Sequence, residues 1–346
     1  IPKLKYKELF LQRIINSKIM YILIIDKNST IPNKEYGGTQ RVIWDLGKEL
    51  YKKGHKVYFL VSKNSTCDFA TIIPYDKNRT LASHIPDCIN VIHCNHLLES
   101  PLDKPYIITM HGNPLPTEKL DINMVFVSQN HAKRYGSKSF VYNGLNWNNY
   151  PKPDLKEKKT YMHFLGKANW KIKNVFGAAE IAKQTGNKLY VLGGDKWSFR
   201  NVKRGLKYLL NSNTKFNGMV NNELKIKLIQ NSKALIFPVN WHEPFGLAII
   251  ESFYAGCAVF GTKNGSLNEL IPSDLGYTGD SILDIVNAIK NFDFDPVKCH
   301  KYAVSKFNSQ LMTNSYLKLY DKVISNESLN ENVPKYIEEY NICPKI

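Results

Sequence analysis

Residues 243–269 read Glu-Pro-Phe-Gly-Leu-Ala-Ile-Ile-Glu-Ser-Phe-Tyr-Ala-Gly-Cys-Ala-Val-Phe-Gly-Thr-Lys-Asn-Gly-Ser-Leu-Asn-Glu. Pro244 suits the first turn of a helix, where its missing N–H costs nothing and its fixed φ is already helical. Apolar residues at 245, 247, 249, 250 and 253 predict a helix that is mostly buried. Gly256 ends it, and residues 257–260 read as a short buried strand. Glu243 is then expected just before a helix N-terminus and Glu251 about two turns along it. The helix start between them offers free N–H groups and a partial positive charge, a seat for phosphate. Taken alone, the two acids read equally as a capping carboxylate and a surface helical glutamate.

Working outward, strand and helix patterns alternate along the chain. Residues 19–25 form an apolar run, and 38–52 carry helical spacing (Val42, Ile43, Leu46, Leu50) closed by Gly54. Strands are expected at 56–61, 89–93, 106–110, 123–127 and 139–142. A stretch with Pro151 and Pro153 among Lys, Asp and Glu reads as a linker. The alternation then restarts, with strands at 161–165, 188–192 and 234–238, helices at 175–184 and 222–231, and closing helices at 281–291 and 297–324. Such βα alternation predicts α/β architecture with parallel sheets covered by helices. The expected division is a basic amphipathic extension at 1–17, a first Rossmann-like domain at 18–150, a linker at 151–159, a second Rossmann-like domain at 160–300, a helix crossing back at 301–325 and a tail at 326–346. Ligands in such sheets bind at the carboxyl ends of the strands.

The Glu-x7-Glu pair with Phe-Gly-Leu after the first Glu, followed by Gly256-Cys257-Ala258-Val259 and by Gly265 with Glu269, resembles the donor-binding segment of family-4 retaining glycosyltransferases. These are GT-B-fold enzymes, glycosyltransferase group 1, that use nucleotide-diphospho-sugars. The stretch 36–42 (Tyr-Gly-Gly-Thr-Gln-Arg-Val) and Gly54-His55-Lys56-Val57 are similar to the family's N-terminal signature. The resemblance implies that Glu243 holds hydroxyls of the transferred sugar, Glu251 holds the ribose, and the amides of Phe245, Gly246 and Leu247 meet the diphosphate. It also implies that Gly37 and Gly38 let the backbone approach donor and acceptor, that His111 contacts the donor sugar, and that Lys167 and Lys173 neutralise the leaving diphosphate. Lys171 competes for the last role. Gly193, Gly194 and Asp195, with residues 216–218, are expected to line the base pocket. Three positions depart from the family pattern: Ala258 stands where Pro is common, Lys167 replaces an Arg, and Asn146 replaces the Asp of Asn-Gly-x-Asp at 143–146. Lys167 thus offers a point charge in place of a bidentate fork.

The implied activity is a retaining, metal-independent hexosyltransferase using a UDP- or GDP-sugar as co-substrate and no cofactor, with a glycan or lipid-linked acceptor. The alternatives are a GT-B sugar-nucleotide 2-epimerase and an inactive sugar-nucleotide-binding relative. Asp293 and Asp295 have the spacing of metal-dependent transferases but precede a Pro-led helix, so they read as a cap. No Gly-x-Gly-x-x-Gly with a downstream acid marks a nicotinamide site.

Composition allows this reading. The 346 residues suffice for two cores, 43% are hydrophobic and 22% charged, and no apolar run approaches a membrane span. Six cysteines without metal spacing, and an N-terminus without a signal-peptide pattern, lead to the expectation of a cytoplasmic protein. The net charge of +17 carries no nucleic-acid-binding signature. It reads either as the imprint of an AT-rich genome or as a fit to anionic ligands and an acidic membrane surface. Lys3, Lys5, Lys7, Arg13 and Lys18, interleaved with apolar residues, predict a basic amphipathic helix that covers a core edge or touches lipid. His93 and His55 read as structural.

Overall fold

The computed structural model describes residues 19–32, 37–156, 159–194, 213–220 and 222–341. The basic segment 1–17, Tyr36, Asp195 and residues 342–346 lie outside that range. The first half runs β1 (Tyr21–Asp26), α1 (Gly38–Lys52), β2 (Lys56–Val61), β3 (Thr71–Pro74), β4 (Val91–Cys94), β5 (Tyr106–Met110), β6 (Met124–Phe126) and the short α2 (Gln129–Lys133). Its six strands are parallel, in the order β3-β2-β1-β4-β5-β6. α1 buries Val42, Ile43, Leu46 and Leu50, the stripe its spacing predicts. The strand expected at 139–142 is reduced to one bridge, Phe126 with Phe140. Ser137 Oγ accepts the amide of Ser139 just before that bridge.

The second half repeats the plan with β7 (Tyr161–Leu165), α3 (Val175–Gln184), β8 (Leu189–Leu192), β9 (Thr214–Phe216), α4 (Asn222–Gln230), β10 (Ser232–Phe237), α5 (Leu247–Tyr254), β11 (Ala258–Thr262), α6 (Leu267–Leu270), β12 (Gly276–Gly279) and α7 (Ile282–Lys290). The order β12-β11-β10-β7-β8-β9 is the same winding as the first sheet. Each sheet is therefore Rossmann-like, and the two together make the GT-B arrangement.

α8 (Pro296–Lys306) packs on α5 of the second domain. Asp295 caps it, accepting from the amides of Val297 and Lys298, as a helix-capping acid should. α9 (Ser309–Ile324) then crosses back onto α1, β4 and β5. Its Tyr320 and Tyr316 hydroxyls meet His93 and Thr109 in the core, which makes His93 a buried structural histidine. The described part of the expected tail is stitched to the first domain. Asn330 bonds the carbonyls of Ile122 and Met124, Arg134 bonds Asn341, and α10 (Glu338–Asn341) closes this segment.

Asp45 of α1 is 4% exposed and accepts the amide of Asn146, tying the helix to the end of the first domain. Burial pushes its carboxyl up to about 6. A raised carboxyl contributes stability below the unfolded value near 3.8 and loses it as pH rises through about 6. Asp45→Asn should therefore gain on the parent protein as pH rises from 4 to 7, by about 1–3 kcal/mol. Melting curves of both proteins across that range check it, and a pH-independent difference would exclude Asp45 as the titrating group.

Candidate active site

The two sheets present their carboxyl ends to one cleft. From the second domain, the segment 243–246 leaves β10, and Glu243 bridges Gly265 beyond β11. Gly265 has φ +69°, and a Cβ there would stand 2.3 Å from the Glu243 amide nitrogen, so only glycine permits this approach. α5 begins at Leu247, three residues later than Pro244 suggests. Gly246, at φ +82°, takes the left-handed conformation at its N-cap and delays the helix. Glu251 consequently lies about one turn into the helix, nearer its N-terminus than expected.

Glu243 is 7% exposed, and its Oε2 accepts from Lys173 Nζ at 2.5 Å and from Trp241 Nε1 at 2.9 Å. Lys173 is placed by its neighbours. Asn174, in the left-handed region, caps α3 through the Gly177 amide and donates to the Pro238 carbonyl, while Ile172 accepts from the Asn240 amide. The Lys173 ammonium also lies 4.6 Å from the Trp241 ring centre. Lys171 is exposed and does not line the cavity.

Glu251 is 5% exposed, and its Oε1 receives three donors: Arg41 at 2.5 Å, Lys225 at 2.7 Å and the Tyr150 hydroxyl at 2.9 Å. Burial opposes its charge, but Arg41 and Lys225 outweigh that and hold the carboxyl well below the usual range. Arg41 comes from α1 and Tyr150 from the end of the first domain, so this cluster joins the two halves. Other contacts do the same. Glu269 accepts the amides of Gln129 and Asn130 at the start of α2, and Asn113 donates to the His242 carbonyl. Tyr142 packs on Phe245.

These residues enclose a cavity of about 190 Å³ lined by Gly38, His111, Lys173, Glu243 and Glu251, with Phe245, Gly246 and Leu247. It is small for a ligand pocket because the halves are close. A Cβ on Gly38 would lie 2.8 Å from Leu247 Cδ1. His111 Nε2 pairs with Asn95 Oδ1 at 2.9 Å, and burial lowers its pKa to about 4, so the ring is neutral at physiological pH. Activity should accordingly show no His111 ionisation between pH 5 and 8, which a pH–rate profile of the parent and His111→Gln would reveal. A limb near pH 6.5 lost in the variant would contradict the buried neutral ring.

Residues 146–290 match the family described as glycosyl transferases group 1. That segment of the chain is similar to group 1 glycosyltransferases. Solved structures agree in fold. The glycosyltransferase AviGT4, involved in avilamycin A biosynthesis, superposes with TM-score 0.73 at 19% identity over 88% of this chain and 98% of that one. Sucrose-phosphate synthase from Thermosynechococcus elongatus gives 0.69 at 17% over 89% and 100%. Anabaena HepE, solved with UDP and glucose, gives 0.63 at 14% over 87% and 99%. A curated relative, an uncharacterized 42.6 kDa protein in the cps region of Klebsiella pneumoniae, is 28% identical over 95 residues. That match spans 27% of this chain and about a quarter (24%) of the relative's length.

Two expected site residues fall outside the cavity between the two sheets. Lys167 is exposed, its ammonium 4.6 Å from the Trp170 ring centre. Gly37 is the extended N-cap of α1, leaving the close approach to Gly38 alone. Gly193 and Gly218, expected at the base pocket, bond one another, and neither lines the cavity. Sequence reasoning assigned no role to Arg41, Lys225, Tyr150 or Asn143. Arg41 sits within the quoted 36–42 stretch, and Asn143 opens the quoted Asn-Gly-x-Asn. Asn143 now lines the cavity with a buried Oδ1 that has no hydrogen-bond partner. Lys225 gave no signal beyond being an inward-facing helical lysine.

Proposed function

We propose that the chain is a retaining, metal-independent hexosyltransferase that moves a sugar from a UDP- or GDP-sugar to a hydroxyl of a glycan or lipid-linked acceptor. One observation carries the reading: Lys173, the Glu243–Glu251 pair and the start of α5 converge on one cavity between two Rossmann-like sheets. The first-turn amides of α5 lack intrahelical acceptors, and beside Lys173 they suit a diphosphate. Glu243 keeps Oε1 without a hydrogen-bond donor among the described residues, available to a sugar hydroxyl. His111, neutral, serves a second hydroxyl, and Glu251 serves the ribose through Oε2. As the bond from C1 to the phosphate oxygen breaks, its electron pair goes to the diphosphate, where Lys173 and the amides stabilise the charge. The acceptor oxygen bonds C1 from the same face and passes its proton to a leaving phosphate oxygen. No side chain is assigned as a nucleophile. Donor entry requires the halves to part, with the Arg41–Glu251 contact opening.

The neighbour solved with UDP and glucose makes UDP the first base to test. Among the described residues no helix is long and apolar enough to cross a membrane. The basic segment 1–17 is proposed to bring the protein to an acidic, cytoplasmic membrane face. Calorimetry with UDP, GDP and ADP should find single-site binding for one of the first two. Glu243→Gln should leave free nucleotide binding nearly unchanged while weakening nucleotide-sugar binding or transfer. Turnover should survive excess chelator. No binding of any nucleotide, or loss on EDTA with restoration by Mn²⁺, would overturn the assignment.

A further inference from the structure

The first domain holds a second and larger cavity, of about 610 Å³, within the usual size range of small-molecule sites. It lies at strand carboxyl ends: Lys27 directly follows β1, Tyr75 follows β3, and His96 lies two residues beyond β4. β1 stands between β2 and β4, where the winding of the sheet reverses. Open parallel sheets receive ligands at such a point.

The lining is divided. Leu81, Ile85, Leu97, Leu98 and Leu102 form an apolar wall. On the polar side, both ring nitrogens of His96 are buried without a hydrogen-bond partner. A buried polar group left unpaired is costly and uncommon, so it points to a missing partner. Lys27 is half-buried, stands 5.9 Å from the Tyr75 ring centre and makes no ion pair among the described residues. Its charge acts on His96, and together with burial it lowers the imidazole pKa to about 4. The carboxylates of the lining, Asp87, Glu99 and Asp103, are exposed at the rim, as are Lys77 and Arg79. Lys104 is already used, donating to the carbonyls of Asp87 and Ile89. The inner polar face thus presents one unpaired cation and one unpaired imidazole beside an apolar wall.

We propose that this cavity binds an organic phosphate, its phosphoryl group held between Lys27 and His96 and its body laid on the leucine wall. The site is separate from the reaction cavity and does not depend on the transferase reading. Phosphate fits better than a neutral ligand because it gives Lys27 its counter-charge and His96 an acceptor at once.

Phenyl phosphate is a suitable probe, titrated into the full chain labelled at the histidine ring carbons. A saturable shift of one imidazole signal is expected, assigned to His96 by its absence in His96→Gln. Bound phosphate should raise the pKa of that ring, because a nearby negative charge favours its protonated form. Lys27→Met and His96→Gln should each weaken binding at least about tenfold. Inorganic phosphate, lacking the apolar body, should bind at least about tenfold more weakly than phenyl phosphate, and UDP should not displace the probe. The proposal fails if no imidazole shift saturates, if Lys27→Met binds like the parent protein, or if UDP displaces the probe one for one. Should His96→Gln not fold, the Lys27→Met titration decides alone.

Discussion

Lys173→Ala should lower turnover at saturating donor by at least about a hundredfold, the effect of losing ~3 kcal/mol of stabilisation of a developing charge. Lys173 lines the cavity at the foot of α5, 2.5 Å from Glu243. Its removal also leaves Glu243 with the Trp241 indole as its remaining donor, so the carboxylate loses its alignment. The fold should survive, because Asn174 and Ile172 hold the loop through bonds that do not involve the lysine side chain. Lys167→Ala and Lys171→Ala, both at exposed lysines, should stay within a few-fold of the parent. Steady-state kinetics on the three variants settles the assignment. Near-parental turnover for Lys173→Ala would show that the leaving charge is neutralised elsewhere.

Glu251→Gln should be the most destabilising single change at the site. Lys225 is 3% exposed on its side chain, and among the described residues Glu251 is its carboxylate partner. Removing one member of a buried pair strands the other charge and costs about 3–5 kcal/mol. Arg41, at 21% exposure, can return toward solvent, whereas Lys225 cannot. The double variant Glu251→Gln/Lys225→Met should therefore recover most of the loss in denaturation midpoint. The carboxyl is held below its ordinary value of 4.5, so its contribution is complete above that pH and declines as pH falls further. Nucleotide affinity should fall as well, since a neutral acceptor replaces a charged one. A Glu251→Gln protein that melts with the parent would mean that Lys225 finds water or another acceptor.

The alternation of apolar runs was sufficient to read most strands of both sheets, because a parallel strand buried on both faces must be continuously apolar. α1, β2, β5, β7 and α3 begin and end where their spacing predicts. β3, β9 and β12, three or four residues each, left too little pattern to be read. The acids at 243 and 251 and the lysine at 173 are singled out by resemblance to a family motif, and all three line one cavity. Gly265 belongs to that motif and is pressed against Glu243.

What the chain could not express locally is everything that depends on two distant segments meeting. Glu251 reads as a helical glutamate until Arg41, Tyr150 and Lys225, separated from it by 210, 101 and 26 residues, close on one oxygen. Lys167 and Lys173 are equivalent in a string, but in the fold one is exposed beside Trp170 and the other meets Glu243 at the cavity. Periodicity and glycine placement are local consequences of backbone sterics and burial, so the sequence carries them. The choice of which charges pair, and which face the cavity, follows from desolvation between packed domains, and only the tertiary structure decides it.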